Sequence, residues 1–133
     1  MKPKPFYVYD SGLFNAVAEN DSRAASLLLD KGTPVNAPNL PGFPPLLTAA
    51  LFGRVELAEL LLRRGADPNL PYEGTVTPLL CAVRSGNLDM VRLLLEQGAD
   101  VSLRGSRGLS ALYLTEACGF VEIADLIRRR NRS

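Results

Sequence analysis

The sequence predicts an all-α solenoid made of four stacked helical-pair units, and three observations predict it. First, residue types recur every 33 positions without insertion or deletion: Leu27, Leu60, Leu93 and Leu126 form one series, and Asn36, Asn69 and Ser102 another. A fixed period of this length marks repeated supersecondary units stacked on one another. Second, glycines punctuate each unit at two registers, Gly32, Gly65 and Gly98 at one and Gly53, Gly86 and Gly119 at the other. Third, the segments between them are apolar over more than half a helix circumference, as in Val55, Leu57, Ala58, Leu60, Leu61 and Leu62. Such a helix cannot stand alone and must be covered by neighbouring units on both sides.

Met1 to Tyr9 is a proline-punctuated lead-in whose Phe6, Tyr7, Val8 and Tyr9 are apolar enough to lie against the first unit. In that unit a helix is expected over Leu13–Glu19, capped by Ser11, and a second over Arg23–Asp30, capped within Asn20-Asp21-Ser22. Gly32 ends it, because a left-handed residue costs least without a Cβ.

The second unit opens on a turn, Asn39-Leu40-Pro41-Gly42, and Pro45 takes a first helical position, where its missing N–H costs nothing. Ala49 and Ala50 allow close approach of helices, and Gly53 stops the first helix before the leucine-rich second. The third unit repeats the plan with Thr77 as cap and Pro78 behind it. Asn87 then caps a second helix whose Leu88, Met90, Val91, Leu93, Leu94 and Leu95 face inward. In the fourth unit Ser110-Ala111 replaces the Thr-Pro turn, Thr115 and Glu116 replace small apolar residues, and Arg128 stands where Leu62 and Leu95 stood. Polar drift at both ends is what terminal repeats with a water-facing side require, so the chain reads as one closed domain over 1–133. The units fall at about 6–36, 37–69, 70–102 and 103–133.

The motifs now in view resemble the ankyrin-repeat family. Thr77-Pro78-Leu79, Gly65-Ala66-Asp67-Pro68-Asn69 and Gly98-Ala99-Asp100-Val101-Ser102 carry the likeness. The resemblance implies L-shaped helix-turn-helix units with a projecting hairpin, stacked into a slightly curved solenoid. It also implies recognition of another protein through the hairpin tips and the concave face of the first helices. The chain departs from the family in three ways. The histidine usual after Thr-Pro-Leu is Leu47, Leu80 or Tyr113; Thr75 replaces a hairpin glycine, with Gly74 one place early, which predicts an irregular tip in repeat three; and repeat one lacks the Thr-Pro turn.

The chemistry of catalysis is hard to find. The 133 residues contain no histidine, which removes the commonest general base and metal ligand, and no glycine loop is followed by Lys-Ser or Lys-Thr. Asp67 and Asp100 read as turn-stabilising hydrogen-bond acceptors, and Gly105-Ser106-Arg107-Gly108 as turn chemistry. Cys81 and Cys118 fit no metal-ligand spacing or disulfide framework, and the basic opening residues lead into no apolar run long enough for a signal peptide. No apolar stretch is long enough to span a membrane. A non-catalytic, monomeric binding module without cofactor, metal or small-molecule substrate is therefore expected, intracellular and by default cytoplasmic, with another protein as its partner.

The family pattern places exposed, variable positions at Leu40, Pro41, Phe43, Leu51 and Phe52 in repeat two. In repeat three they are Tyr72, Glu73, Val76, Arg84 and Ser85, and in repeat four Ser106, Arg107, Leu109, Ala117 and Cys118. Repeat one offers Tyr7, Val8, Ala18 and Glu19. Repeat two stands out, since large apolar groups occupy places where solubility favours polar ones, and a contiguous exposed patch of this kind marks an interaction site. Arg84, Arg104 and Arg107 follow along the same face, so a ligand with apolar anchors at one end and carboxylates at the other is expected. With 15 Lys/Arg against 14 Asp/Glu the chain is near neutral, which argues against a general polyanion binder. The alternative reading is an adaptor or inhibitor that engages an acidic protein, anionic lipid or nucleic acid through Arg128, Arg129, Arg130 and Arg132.

Overall fold

The computed structural model describes residues 11–39 and 42–131; the apolar lead-in, Leu40 and Pro41 lie outside them. Among the described residues, eight α-helices form four antiparallel pairs: α1 (Ser11–Ala18) with α2 (Ser22–Asp30), α3 (Pro45–Phe52) with α4 (Val55–Arg63), α5 (Pro78–Ser85) with α6 (Leu88–Glu96), and α7 (Ala111–Cys118) with α8 (Val121–Asn131). The first helices pack in one row, α1 on α3, α3 on α5 and α5 on α7. The second helices pack in a parallel row, α2 on α4, α4 on α6 and α6 on α8. One core runs the length of the stack between the rows. Ala49, Ala50, Ala82 and Val83 are fully buried in it, where their small size sets how closely the first helices approach.

The 33-residue period is a period of backbone geometry. At the ends of α2, α4 and α6, Gly32, Gly65 and Gly98 take φ of +102°, +94° and +92°. The residue after each returns its N–H to a helix carbonyl: Thr33 to Leu28 at 3.0 Å, Ala66 to Leu61 at 2.9 Å and Ala99 to Leu94 at 2.9 Å. This left-handed closure satisfies carbonyls that a helix end otherwise leaves open. The same device ends the first helices at Gly53, Gly86 and Gly119, with φ of 69°, 70° and 76°. In repeat one Asn20 fills that place at φ 60°, and Asp21 N–H reaches Ala16 O at 2.8 Å.

Neighbouring repeats are also stitched by side chains. Asn36 Oδ1 accepts from Asp67 N at 3.1 Å, and one repeat on Asn69 Oδ1 accepts from Asp100 N at 2.7 Å. Asp67 Oδ1 accepts from Asn69 N at 2.9 Å, and Asp100 Oδ1 from Ser102 N at 2.8 Å and Ser102 Oγ at 2.6 Å. The Ser102 donors hold the Asp100 carboxyl below its ordinary pKa. Both aspartates therefore act as the turn acceptors their positions suggested.

Some boundaries differ from the sequence reading. Helix α1 starts at Ser11, two residues before Leu13, so Ser11 lies in the first turn instead of capping it. The cap of α2 is Asp21, whose side chain accepts from Ala24 N at 3.0 Å. Thr77, Asn87 and Ser110 each cap as expected, accepting from Leu80, Met90 and Tyr113 N–H groups at 3.2, 3.0 and 3.1 Å. Thr115 does not face water: it is fully buried, and its hydroxyl donates to Leu112 O at 2.7 Å.

Candidate protein-binding groove

The hairpins of repeats two, three and four are closed by the same register pair. Asn39 N–H bonds Phe43 O at 3.1 Å, Tyr72 N–H bonds Val76 O at 2.8 Å and Gly105 N–H bonds Leu109 O at 2.9 Å. Positive φ falls on Arg107 and Gly108 in repeat four but one place earlier, on Glu73 and Gly74, in repeat three. Thr75 cannot take the glycine's conformation cheaply, so the turn slides back by one residue while the closing pair stays in register. The irregularity is confined to the tip.

Between these hairpins and the first helices lies an open groove of about 390 Å³, running across repeats two to four. Six of the positions singled out by sequence come together in its walls: Leu51 from the last turn of α3, Val76, Arg84 and Ser85 from repeat three, and Ser106 and Leu109 from the fourth hairpin. Its floor was not foreseen. Leu80 and Cys81 of α5 and Leu114 of α7 supply it, with Thr75 and Gly105 at the hairpin side. Gly105 comes close to the floor: a Cβ there would stand 3.0 Å from Leu80 Cδ1, so the Leu80 side chain would have to give way. The floor stays uncharged at neutral pH: burial pushes the Cys81 thiol up to about 11, against the lowering effect of the nearby Arg84 charge.

Other expected positions do something else. Phe43 is half-buried, because its ring stacks on Tyr72 with centroids 4.4 Å apart and planes inclined by 23°. The two rings bridge consecutive hairpins, each covering part of the other's face. A hydrogen bond with Glu73, followed by burial and the Glu73 charge, raises the Tyr72 phenol above its ordinary pKa. Phe52 is 48% exposed beside Leu51 at 47%, but it is not among the groove-lining side chains. Arg107 is exposed at the fourth hairpin tip, and its neighbour Arg104 donates to Gly108 O at 2.8 Å. Leu40 lies outside the described residues.

The terminal arginines are partly engaged by the fold itself. Arg128 meets Asp125 at 3.0 Å and Glu116 at 3.4 Å, and Arg130 donates to Leu95 O at 2.5 Å. Among the described residues no group of three His, Cys, Asp or Glu side chains is placed to hold a metal ion. No helix among them is long and apolar enough to cross a membrane.

A sequence model of ankyrin repeats matches residues 13–105 in three copies. The chain belongs to the ankyrin-repeat family. Comparison with curated proteins gave no match. The family match ends near the fourth hairpin, yet α7 and α8 continue the ankyrin stack on α5 and α6. What is lost there is sequence pattern, with Ser110-Ala111, Glu116 and Arg128 in place of family residues. Ankyrin repeats serve generally as protein–protein interaction modules and are typically non-catalytic, which fits a rigid stack presenting a preformed groove.

Proposed function

We propose that this ankyrin-repeat chain, as a monomer, binds a segment of a partner protein on its concave face, with Leu51 and Phe52 of repeat two at the entrance and the groove of repeats two to four as the seat. The observation that carries the reading is the convergence of Leu51, Val76 and Leu109 on an apolar floor. Three separate repeats contribute these side chains, so the surface exists only because the stack is rigid. Little ordering entropy then opposes binding. Apolar groups half open to water gain by being covered, and losing one central anchor of such a seat costs about 2 kcal/mol or more of binding. The terminal arginine cluster has less support as the binding element, since Arg128 and Arg130 already have partners within the chain.

Affinity capture from a cell lysate tests the reading, comparing the wild type with Leu51→Glu/Val76→Glu and with Arg129→Ala. Proteins retained by the wild type should be lost from the groove variant and kept by the arginine variant, while circular dichroism shows all three folded. Unchanged capture by a folded groove variant contradicts the assignment.

A further inference from the structure

Resting on that groove, the charge around it specifies the chemistry of what it holds. Among the described residues, the ion pairs use Arg64, Arg92 and Arg128, with Asp30, Asp89, Asp125 and Glu116 as partners. All three arginines lie on or just beyond second helices, away from the groove. Arg84, which lines the groove, enters none of these pairs, nor do Arg104 and Arg107 on the hairpin that forms its wall. No carboxylate is among the residues that line the groove; on the neighbouring elements Glu73 is exposed on the third hairpin and Glu116 is paired with Arg128. The lining therefore presents the Arg84 guanidinium and no carboxylate, set against an apolar floor that carries no charge of its own.

We propose that the groove takes an internal segment of a partner protein in which aliphatic side chains alternate with carboxylates. The aliphatic groups would enter between Leu51, Val76 and Leu109, and the carboxylates would meet Arg84 first and then the fourth hairpin tip. An internal segment fits better than a chain end, because the groove is open along its length across three repeats. A volume of about 390 Å³ accommodates more than one side chain. A guanidinium beside a low-dielectric wall favours a carboxylate over a neutral amide, since the hydrogen bond is charge-assisted and weakly screened. It repels a cation at the same place, so the same group selects against basic segments.

The test uses the full chain with selectively labelled Leu and Val methyl groups, and three short synthetic peptides capped at both ends. One alternates leucine with glutamate, the second replaces glutamate by glutamine, and the third by lysine. The glutamate peptide should shift the Leu51, Val76 and Leu109 methyl signals and bind about tenfold more tightly than the glutamine peptide, as expected for one charge-assisted contact. The lysine peptide should bind most weakly. Arg84→Gln should bring the glutamate peptide down to the level of the glutamine one, and added salt should weaken only the glutamate peptide. Equal affinity for glutamate and glutamine peptides, or an Arg84→Gln variant that still discriminates, overturns the inference. If the neutral peptide still moves the groove methyls in that case, the groove itself survives. Shifts confined to another face count against both, and no shift with any peptide overturns the charge assignment while lysate capture decides the groove.

Discussion

Repeats three and four share the backbone of their first helices and differ in what covers them. Their first helices start from a hydroxyl cap, Thr77 or Ser110, and end on a left-handed glycine with φ of 70° or 76°. Yet Leu80 is 5% exposed and its counterpart Tyr113 57%; Val83 is fully buried and Glu116 open; Leu95 is buried, whereas Arg128 reaches out to Glu116 and Asp125. Caps and glycines thus set the shape of a unit, and the neighbour on its far side sets which side chains that shape can carry. Repeat three lies between two others, and repeat four packs on one.

Exchanging residues between the two is the hardest test of that difference. Val83→Glu places a carboxylate in the dry contact between first helices and should remove about 3–5 kcal/mol, enough to unfold the chain or nearly so in urea titration. The matching Glu116→Val should change stability by about 0.5 kcal/mol or less, since it forfeits only an exposed ion pair. Equal effects would mean that the two positions are environmentally alike.

A smaller effect comes from pH. The Cys81 thiol has its folded pKa raised from 9.0 to about 11, so between those values the unfolded chain gives up a proton that the folded chain keeps. Stability is therefore intact below pH 9 and falls as pH rises, by on the order of 2 kcal/mol across the window. Denaturant midpoints measured on wild type and Cys81→Ala should diverge from parallel above pH 9.

Smaller still is the cost at a helix end. Gly98→Ala meets no atom within 4 Å of the new Cβ, so only the left-handed backbone opposes it, at about 1 kcal/mol. Asn20→Gly should cost nothing or stabilise by a few tenths of a kcal/mol, as it restores the family residue at a position that already holds positive φ. Thermal unfolding of both variants checks the pair.

Much of the fold was legible because the 33-residue period is carried by residues with backbone duties. Gly32, Gly65 and Gly98 announce left-handed helix ends, and Asn36 and Asn69 announce the stitches between units. What stayed hidden depends on distances between units, which a repeated pattern does not encode. Phe43 sits at a hairpin position that reads as exposed, and only the spacing of adjacent hairpins brings Tyr72 against its face. Leu80, Cys81 and Leu114 look like any core residues in one dimension; that the fourth hairpin leans in at Gly105 and leaves a groove above them is a property of the stack. Thr75 gave a warning of irregular geometry, but the direction of the slip, one residue back with the closing pair kept, follows from ring closure in three dimensions.

Among the described residues, large apolar side chains stand open at Leu51 and Phe52 beside the groove and, on other elements, at Leu27, Tyr113 and Val121. Methyl-resolved titration with a partner recovered by lysate capture distinguishes them directly. The account predicts that Leu51, Val76, Leu109 and Leu114 signals move together while Leu27 and Val121 stay in place. Movement of Leu27 or Val121 with the groove methyls unmoved would contradict it.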